Sequence, residues 1–286
     1  MTSRSFVATA AFGVIVSTNA VGAQCRPPAS SHEARLLAFY EAPFAFSMPA
    51  APEQLTAGTL RLGAEAIPVP SPSSDLQHPT YCYQNTTNNT KLAPLLGRPR
   101  LAFALPAAFA VEASYLPNVT VDAAEASLVS LALAQARVLP LAGHRVTVAL
   151  RADATTGRVR GAITCPQSSL QTTDANVPCY GTRQSRDTFT PNSFGLEGAL
   201  ALRDRGGRLA AYLGAGVRSL RPRFRAGFID ALGNVDHTTV DVDLVRATGF
   251  AGVTARMRDR LSISAQLYVV PADVTTMRVG AAYSLR

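Results

Sequence analysis

An all-β fold of about ten antiparallel strands is what the sequence predicts, and three observations predict it. Apolar residues alternate with polar or small ones in segment after segment. Tight polar turns and long polar connections alternate between those segments. The chain is 47% hydrophobic and 16% charged, apolar enough to offset the entropy of ordering, yet past residue 23 no apolar run reaches the 18 residues of a spanning helix. The apolar content is dispersed, as alternation requires.

The first residues read as an export signal over residues 1–23. Arg4 precedes an apolar stretch from Phe6 to Val16, and Val21-Gly22-Ala23 supplies small residues before Gln24. Gln24 stands where a lipid-anchored chain needs a small residue before Cys25, so lipidation is rejected. Residues 24–56 form a leader rich in Pro and Ala, either a periplasmic arm or a plug, in which Arg35 to Tyr40 can form a short helix.

Strands are expected near 57–67, 98–105, 108–116, 125–138, 144–153, 193–203, 207–217, 238–257, 260–270 and 275–285. The clearest sets Leu209, Ala211, Leu213, Ala215 and Val217 against Arg208, Tyr212 and Arg218. Segment 123–139 has the composition of a helix. It is read as a strand, because an even strand number puts every short turn on one side. Segment 238–257 changes phase near Leu244–Val245, with Ala247, Ala251, Val253, Ala255 and Met257 outward below that point, and a bulge is placed there.

Export permits disulfides. Cys165 and Cys179 bracket a polar loop and are expected to pair; Cys25 and Cys82 carry no comparable spacing signal, and their pairing stays open. No C-x-x-C or Cys/His cluster marks a metal site, and no motif marks a cofactor. The net charge of +8 is carried by scattered arginines, with Lys91 the one lysine. Without a basic run or an aromatic platform this is not a nucleic-acid surface.

An exported chain of alternating segments of about ten residues, with short turns and long loops, resembles bacterial transmembrane β-barrels. A bilayer offers no water to backbone groups, so strands face lipid only in a closed barrel. The resemblance implies a closed antiparallel transmembrane barrel over residues 57–286, of about 10 strands (8–12), with long extracellular loops, short periplasmic turns and both termini periplasmic. It implies localisation in the bacterial outer membrane. It also implies outer-membrane lipid and lipopolysaccharide as surroundings and the barrel assembly machinery as a partner. The chain departs from the pattern in having no Trp, leaving Tyr115, Tyr212, Tyr268 and Tyr283 to supply a thin aromatic girdle, and in ending Tyr283-Ser284-Leu285-Arg286.

On this reading the lumen is lined by Arg61, Glu65, Arg100, Glu112, Arg145, Arg151, Glu197, Arg203, Arg208, Arg218, Arg246, Arg256 and Arg278. Opposed charges in a narrow barrel pair and fill it, and the arginine excess favours anions where space remains. The leading function is therefore a structural or surface role, or a narrow, anion-preferring pore. A second reading is a hydrolase at the barrel mouth: Asp236, His237, Asp241 and Asp243 loosely resemble the Asp–His and Asp–Asp pairs of omptin proteases. A third is a secreted soluble β-sandwich binding through its loops.

Overall fold

The computed structural model describes residues 24–82, 94–121, 124–141, 144–175, 179–228, 233 and 237–285; the expected signal peptide and Asp236 lie outside them. Ten strands close on themselves. In chain order, β1 (Gln24–Cys25) and α1 (His32–Phe44) precede β2 (Leu60–Pro68), β3 (Leu95–Ala104), β4 (Phe109–Val121), β5 (Ala124–Leu141) and β6 (His144–Gly161). Then come β7 (Asp187–Thr190), β8 (Asn192–Arg203), β9 (Leu209–Leu220), β10 (Arg223–Arg225) and β11 (Thr239–Asp241), followed by β12 (Leu244–Arg256), β13 (Leu261–Val270) and β14 (Val274–Leu285). The barrel order is β2-β3-β4-β5-β6-β8-β9-β12-β13-β14, all antiparallel. Closure runs from Leu285 opposite Leu60 to Val279 opposite Ala66.

Closure makes the alternation intelligible. Every interior strand edge is paired, so the outer face can be aliphatic without exposing backbone polar groups to lipid. Leu150, Leu213 and Val245 are 62, 60 and 69% exposed on that face. Their neighbours along each strand, Arg151, Tyr212 and Leu244, are buried inside. A soluble sandwich would have the opposite distribution, so that alternative is overturned. Segment 124–141 is a strand despite its helical composition. Pairing with β4 on one edge and with β6 on the other outweighs propensities of a few tenths of a kcal/mol per residue.

Tight connections join β3 to β4, β5 to β6, β8 to β9 and β12 to β13 at one end, here the turn end. The opposite, loop end carries the long connections, but the links from β4 to β5 and from β13 to β14 are short there too. At the loop end β8, β9 and β12 do not simply stop. β7 leads into β8 across Pro191, β9 continues as β10 across Arg221–Pro222, and β11 leads into β12 across Val242–Asp243. β7, β10 and β11 pair in the same order as the strands below them, next to the upper end of β6, and β1 joins the far edge in parallel.

No bulge interrupts segment 244–255, whose register with β9 is continuous. Val240, Val242 and Leu244 point inward, and Val245 points outward. The strand keeps its phase while its surroundings change. At lipid level the outside is apolar; above it the inside is apolar, because Val159, Phe189, Phe224 and Val240 pack with Leu37, Phe39 and Phe44 in one core.

Two expectations are corrected. Tyr212 and Tyr268 are 4 and 0% exposed within the lumen, leaving Tyr115 and Tyr283 as the outward tyrosines of that set. Gln24 lies at the loop end, paired with Thr239, whereas Leu285 lies at the turn end. Gln24 and Leu285 are therefore at opposite ends of the barrel, because residues 32–56 pass through it.

Replacing Leu213, midway up the aliphatic face, by Arg places a charge against the acyl chains. Equilibrium unfolding in lipid vesicles should show a loss of about 2–4 kcal/mol. A change within about 0.5 kcal/mol, the usual effect at a water-facing site, would contradict a lipid-facing wall.

Candidate functional site: the filled lumen

The inward positions assemble a belt of charge. Glu65 on β2 accepts from Arg98 at 2.9 Å and Arg100 at 2.7 Å on β3, with Arg278 of β14 at 3.5 Å. Arg100 also reaches Glu112 on β4 at 2.9 Å, which Arg151 on β6 approaches at 3.3 Å. Arg151 lies 3.4 Å from Asp153 and 3.8 Å from Glu197 on β8. Arg218 on β9 grips Asp153 through two bonds of 2.8 and 3.0 Å, and reaches Glu197 at 3.3 Å. Gly195 makes that grip possible: a Cβ there would stand 2.5 Å from the Asp153 carboxylate and 2.6 Å from the Arg218 guanidinium.

Such a belt has more donors than its carboxylates accept, and the surplus goes to the chain passing through. α1 starts with Ser31, whose hydroxyl accepts from the Ala34 N–H at 3.1 Å, and stops at Pro43 and Phe44. The extended segment after it turns its carbonyls to the wall. Ala42 accepts from Arg278 at 2.9 Å, Phe44 from Arg98 at 3.1 Å, and Ala45 from both Arg98 (2.8 Å) and Arg278 (2.9 Å). Phe46 accepts from Arg151, Ser47 from Arg100 at 3.0 Å, and Met48 from Gln266 at 2.7 Å. The Phe46 ring lies 4.0–5.1 Å from the guanidinium carbons of Arg98, Arg100 and Arg151. Lower down, Glu53 pairs with Arg61 at 2.8 Å, with Arg203 at 3.6 Å and with Arg256. A cavity of about 120 Å³ remains between residues 48–55 and a wall that includes Ala102, Ala110 and Ala136.

The sequence-predicted lumen residues divide by height. Glu65, Arg100, Glu112, Arg151, Glu197, Arg218 and Arg278 belong to the belt. Arg61, Arg203 and Arg256 converge on Glu53 near the turn end. Arg246 pairs with Asp273 at 2.7 Å near the loop end, and Arg145 and Arg208 are exposed at the turn end. Sequence reasoning missed Arg98, Asp153, Gln266 and Glu53. Arg98 and Asp153 share the inward parity of Arg100 and Arg151, and Gln266 that of Ser262 and Ser264, which was the available signal; Glu53 gave none.

Above the barrel, Cys165–Cys179 and Cys25–Cys82 are both bridged. The second pairing ties Cys25, beside β11, to the connection between β2 and β3. Glu33 fastens that connection to α1, accepting from the N–H groups of Tyr81 (2.6 Å) and Cys82 (2.7 Å). Burial opposes its ionisation, but these backbone donors outweigh it and hold the carboxyl below its ordinary range. The Asp–His candidates are dispersed in role. Asp241 is bound by Arg223 at 2.5 Å and Gln24 at 2.6 Å, and Asp243 stands 3.6 Å from Arg221. The carbonyl of half-buried His237 accepts from the Thr239 hydroxyl at 3.4 Å. Among the described residues no cluster of three His, Cys, Asp or Glu groups is arranged to hold a metal ion.

Glu65→Ala leaves Arg98, Arg100 and Arg278 without their shared carboxylate. The expected cost is about 3–5 kcal/mol, the usual result of removing one partner from a buried ion pair. It should be read as a lower temperature for conversion of the compact band to the unfolded one on electrophoresis, with earlier proteolysis near residues 42–51.

No protein-family model matches the chain, and no curated protein matches it. Among solved structures, the attachment invasion locus protein Ail of Yersinia pestis, bound to a heparin analogue, covers 80% of this chain and 100% of its own at 10% identity and a TM-score of 0.30. The toluene transporter TodX of Pseudomonas putida covers 84% and 70% at 12% identity and 0.33. Omp33 of Acinetobacter baumannii covers 82% and 100% at 7% identity and 0.30. These similarities are low, and the architecture rests on this chain's own strand pairing. An even-numbered, closed antiparallel barrel, aliphatic outside and charged within, is the architecture of a bacterial outer-membrane β-barrel protein, with no subfamily assigned.

Proposed function

We propose that the protein is an integral outer-membrane barrel that is closed at rest by residues 24–56 and acts through its loop end at the cell surface. The observation that carries this reading is the run of main-chain carbonyls from Ala42 to Met48 accepting from lumen arginines and Gln266. Each of these bonds must break for an open conduit to form. Residues 1–23 then serve as the cleaved export signal. Short turns face the periplasm and long loops the outside. Lipopolysaccharide surrounds the wall, and the barrel assembly machinery inserts it.

A second reading, a narrow anion-preferring pore that conducts when the segment moves, draws on charge. The belt has five arginines (Arg98, Arg100, Arg151, Arg218, Arg278) against four acids (Glu65, Glu112, Asp153, Glu197), and withdrawing residues 24–56 would also take Glu53 from beside Arg61, Arg203 and Arg256. Planar-bilayer recording separates the two. The full chain should be silent, whereas a chain lacking residues 24–56, with Cys82→Ser to leave no odd thiol, should conduct and prefer chloride over potassium. Steady conductance from the full chain would overturn closure at rest.

Topology gives a second test. An epitope placed before Gln24 should be detected by antibody on intact cells, because the segment enters the barrel from the loop end. Detection only after permeabilisation would reverse the proposed orientation.

A further inference from the structure

The outer face above the lipid-level wall carries an ordered array of cations. Arg160, Thr188, Arg225 and Thr239 stand in one row across β6, β7, β10 and β11. Thr190, Arg223 and Asp241 form the row beside it. Arg160 and Arg225 are two strand spacings apart, about 10 Å. The same face carries Arg158, Arg186 and Arg221, giving six arginines against Glu125, Asp241 and Asp243. These arginines are exposed, the side chains of Arg160 and Arg223 to 50 and 59%.

Position identifies the partner. The array continues the aliphatic face upward on the same strands with no change of side. Arg158 stands four residues beyond Ala154, whose ladder partner Phe194 is 56% exposed. That is a rise of about 13 Å, from acyl chains to the headgroup layer. Two surface concavities lie along the array. One, of about 530 Å³, is lined by Arg160, Arg186 and Thr188, the other, of about 360 Å³, by Arg158, Arg160 and Ser127, and Glu125, 4.0 Å from Arg160, borders both. Each combines guanidinium and hydroxyl donors, the set that phosphate oxygens accept from. The opposite face of the same strands is spent on the core over α1, so the arginines are not needed to hold the fold.

We infer that this band binds the phosphate groups of lipopolysaccharide in the outer leaflet, holding the glycolipid against the β6–β7–β10 side of the barrel. The inference rests on the outer-membrane reading and adds the residues that hold the glycolipid and the side of the barrel it occupies. It predicts an asymmetric annulus, since the array lies on one flank.

The test uses the full chain purified from outer membranes in mild detergent, with lipopolysaccharide measured per barrel. A variant carrying Arg158→Gln, Arg160→Gln, Arg186→Gln and Arg225→Gln should retain about tenfold less or lower still, as each arginine near an anionic surface contributes on the order of fivefold. Its compact unboiled band should be unchanged. Wild-type protein stripped of glycolipid and offered purified lipopolysaccharide should bind it, and should bind the dephosphorylated form as weakly as the variant binds the intact one. Equal retention by both proteins, or equal binding of the dephosphorylated form, would overturn the inference while the barrel stands. Binding of soluble heparin without lipopolysaccharide retention would overturn it in favour of a soluble polyanion. Absence of the compact band from wild-type protein would remove the membrane reading itself.

Discussion

Guanidinium groups aimed into a closed barrel must find acceptors, and here the main chain of residues 42–48 supplies those that the acids cannot. Arg98 divides its donors between Glu65 and peptide carbonyls, and Arg278 gives its donors to peptide carbonyls while standing 3.5 Å from Glu65. The segment cannot leave without stranding them, and they cannot be neutralised without releasing it. Such an arrangement is costly to disrupt by halves, because a buried charge that loses one partner retains its desolvation penalty. The small residues of the wall follow from the same demand. Gly214, for example, approaches Phe250 so closely that a Cβ would lie 2.3 Å from the ring. Filling governs the packing of this interior.

The second organising constraint is the change of solvent along each strand. Between Val217 and Arg225, or between Val245 and Thr239, the outward side passes from aliphatic to polar residues. The inward side passes from a charged lumen to an apolar core over α1. Pro191 and the Arg221–Pro222 pair mark the join, where the missing N–H groups suit a break in the ladder. Asp187 secures the upper layer. It is fully buried and accepts from the N–H groups of Ile163, Thr164 and Gly227 at 2.6–2.9 Å, tying two long connections together.

The ten barrel strands were legible in the sequence because lipid imposes one simple pattern on their outer faces, and each expected segment overlaps an observed strand. Legibility failed where a pattern has two physical causes. Segment 238–257 read as changing phase near Leu244–Val245; Val240, Val242 and Leu244 are an inward set in a layer where inside is the apolar side, in phase with the strand below. Tyr212 and Tyr268 read as girdle residues because tyrosine suits both a membrane interface and a polar lumen. Of the belt, the strand-borne charges could be found by parity, Arg98 included, since it opens the expected segment 98–105 two residues before Arg100.

By itself the sequence determined the compartment expected for the chain, the strand count and the side of each barrel strand that meets lipid, since these depend on local order and period. Tertiary structure alone decided what fills the lumen, which cysteine partners Cys25, and that Gln24 lies opposite Leu285. Those outcomes depend on peptide carbonyls, which every residue carries alike. They depend also on contacts across long separations: 57 residues between the bridged Cys25 and Cys82, and more than 200 between Ala45 and Arg278. No local pattern records such pairings; closing the barrel around the segment creates them.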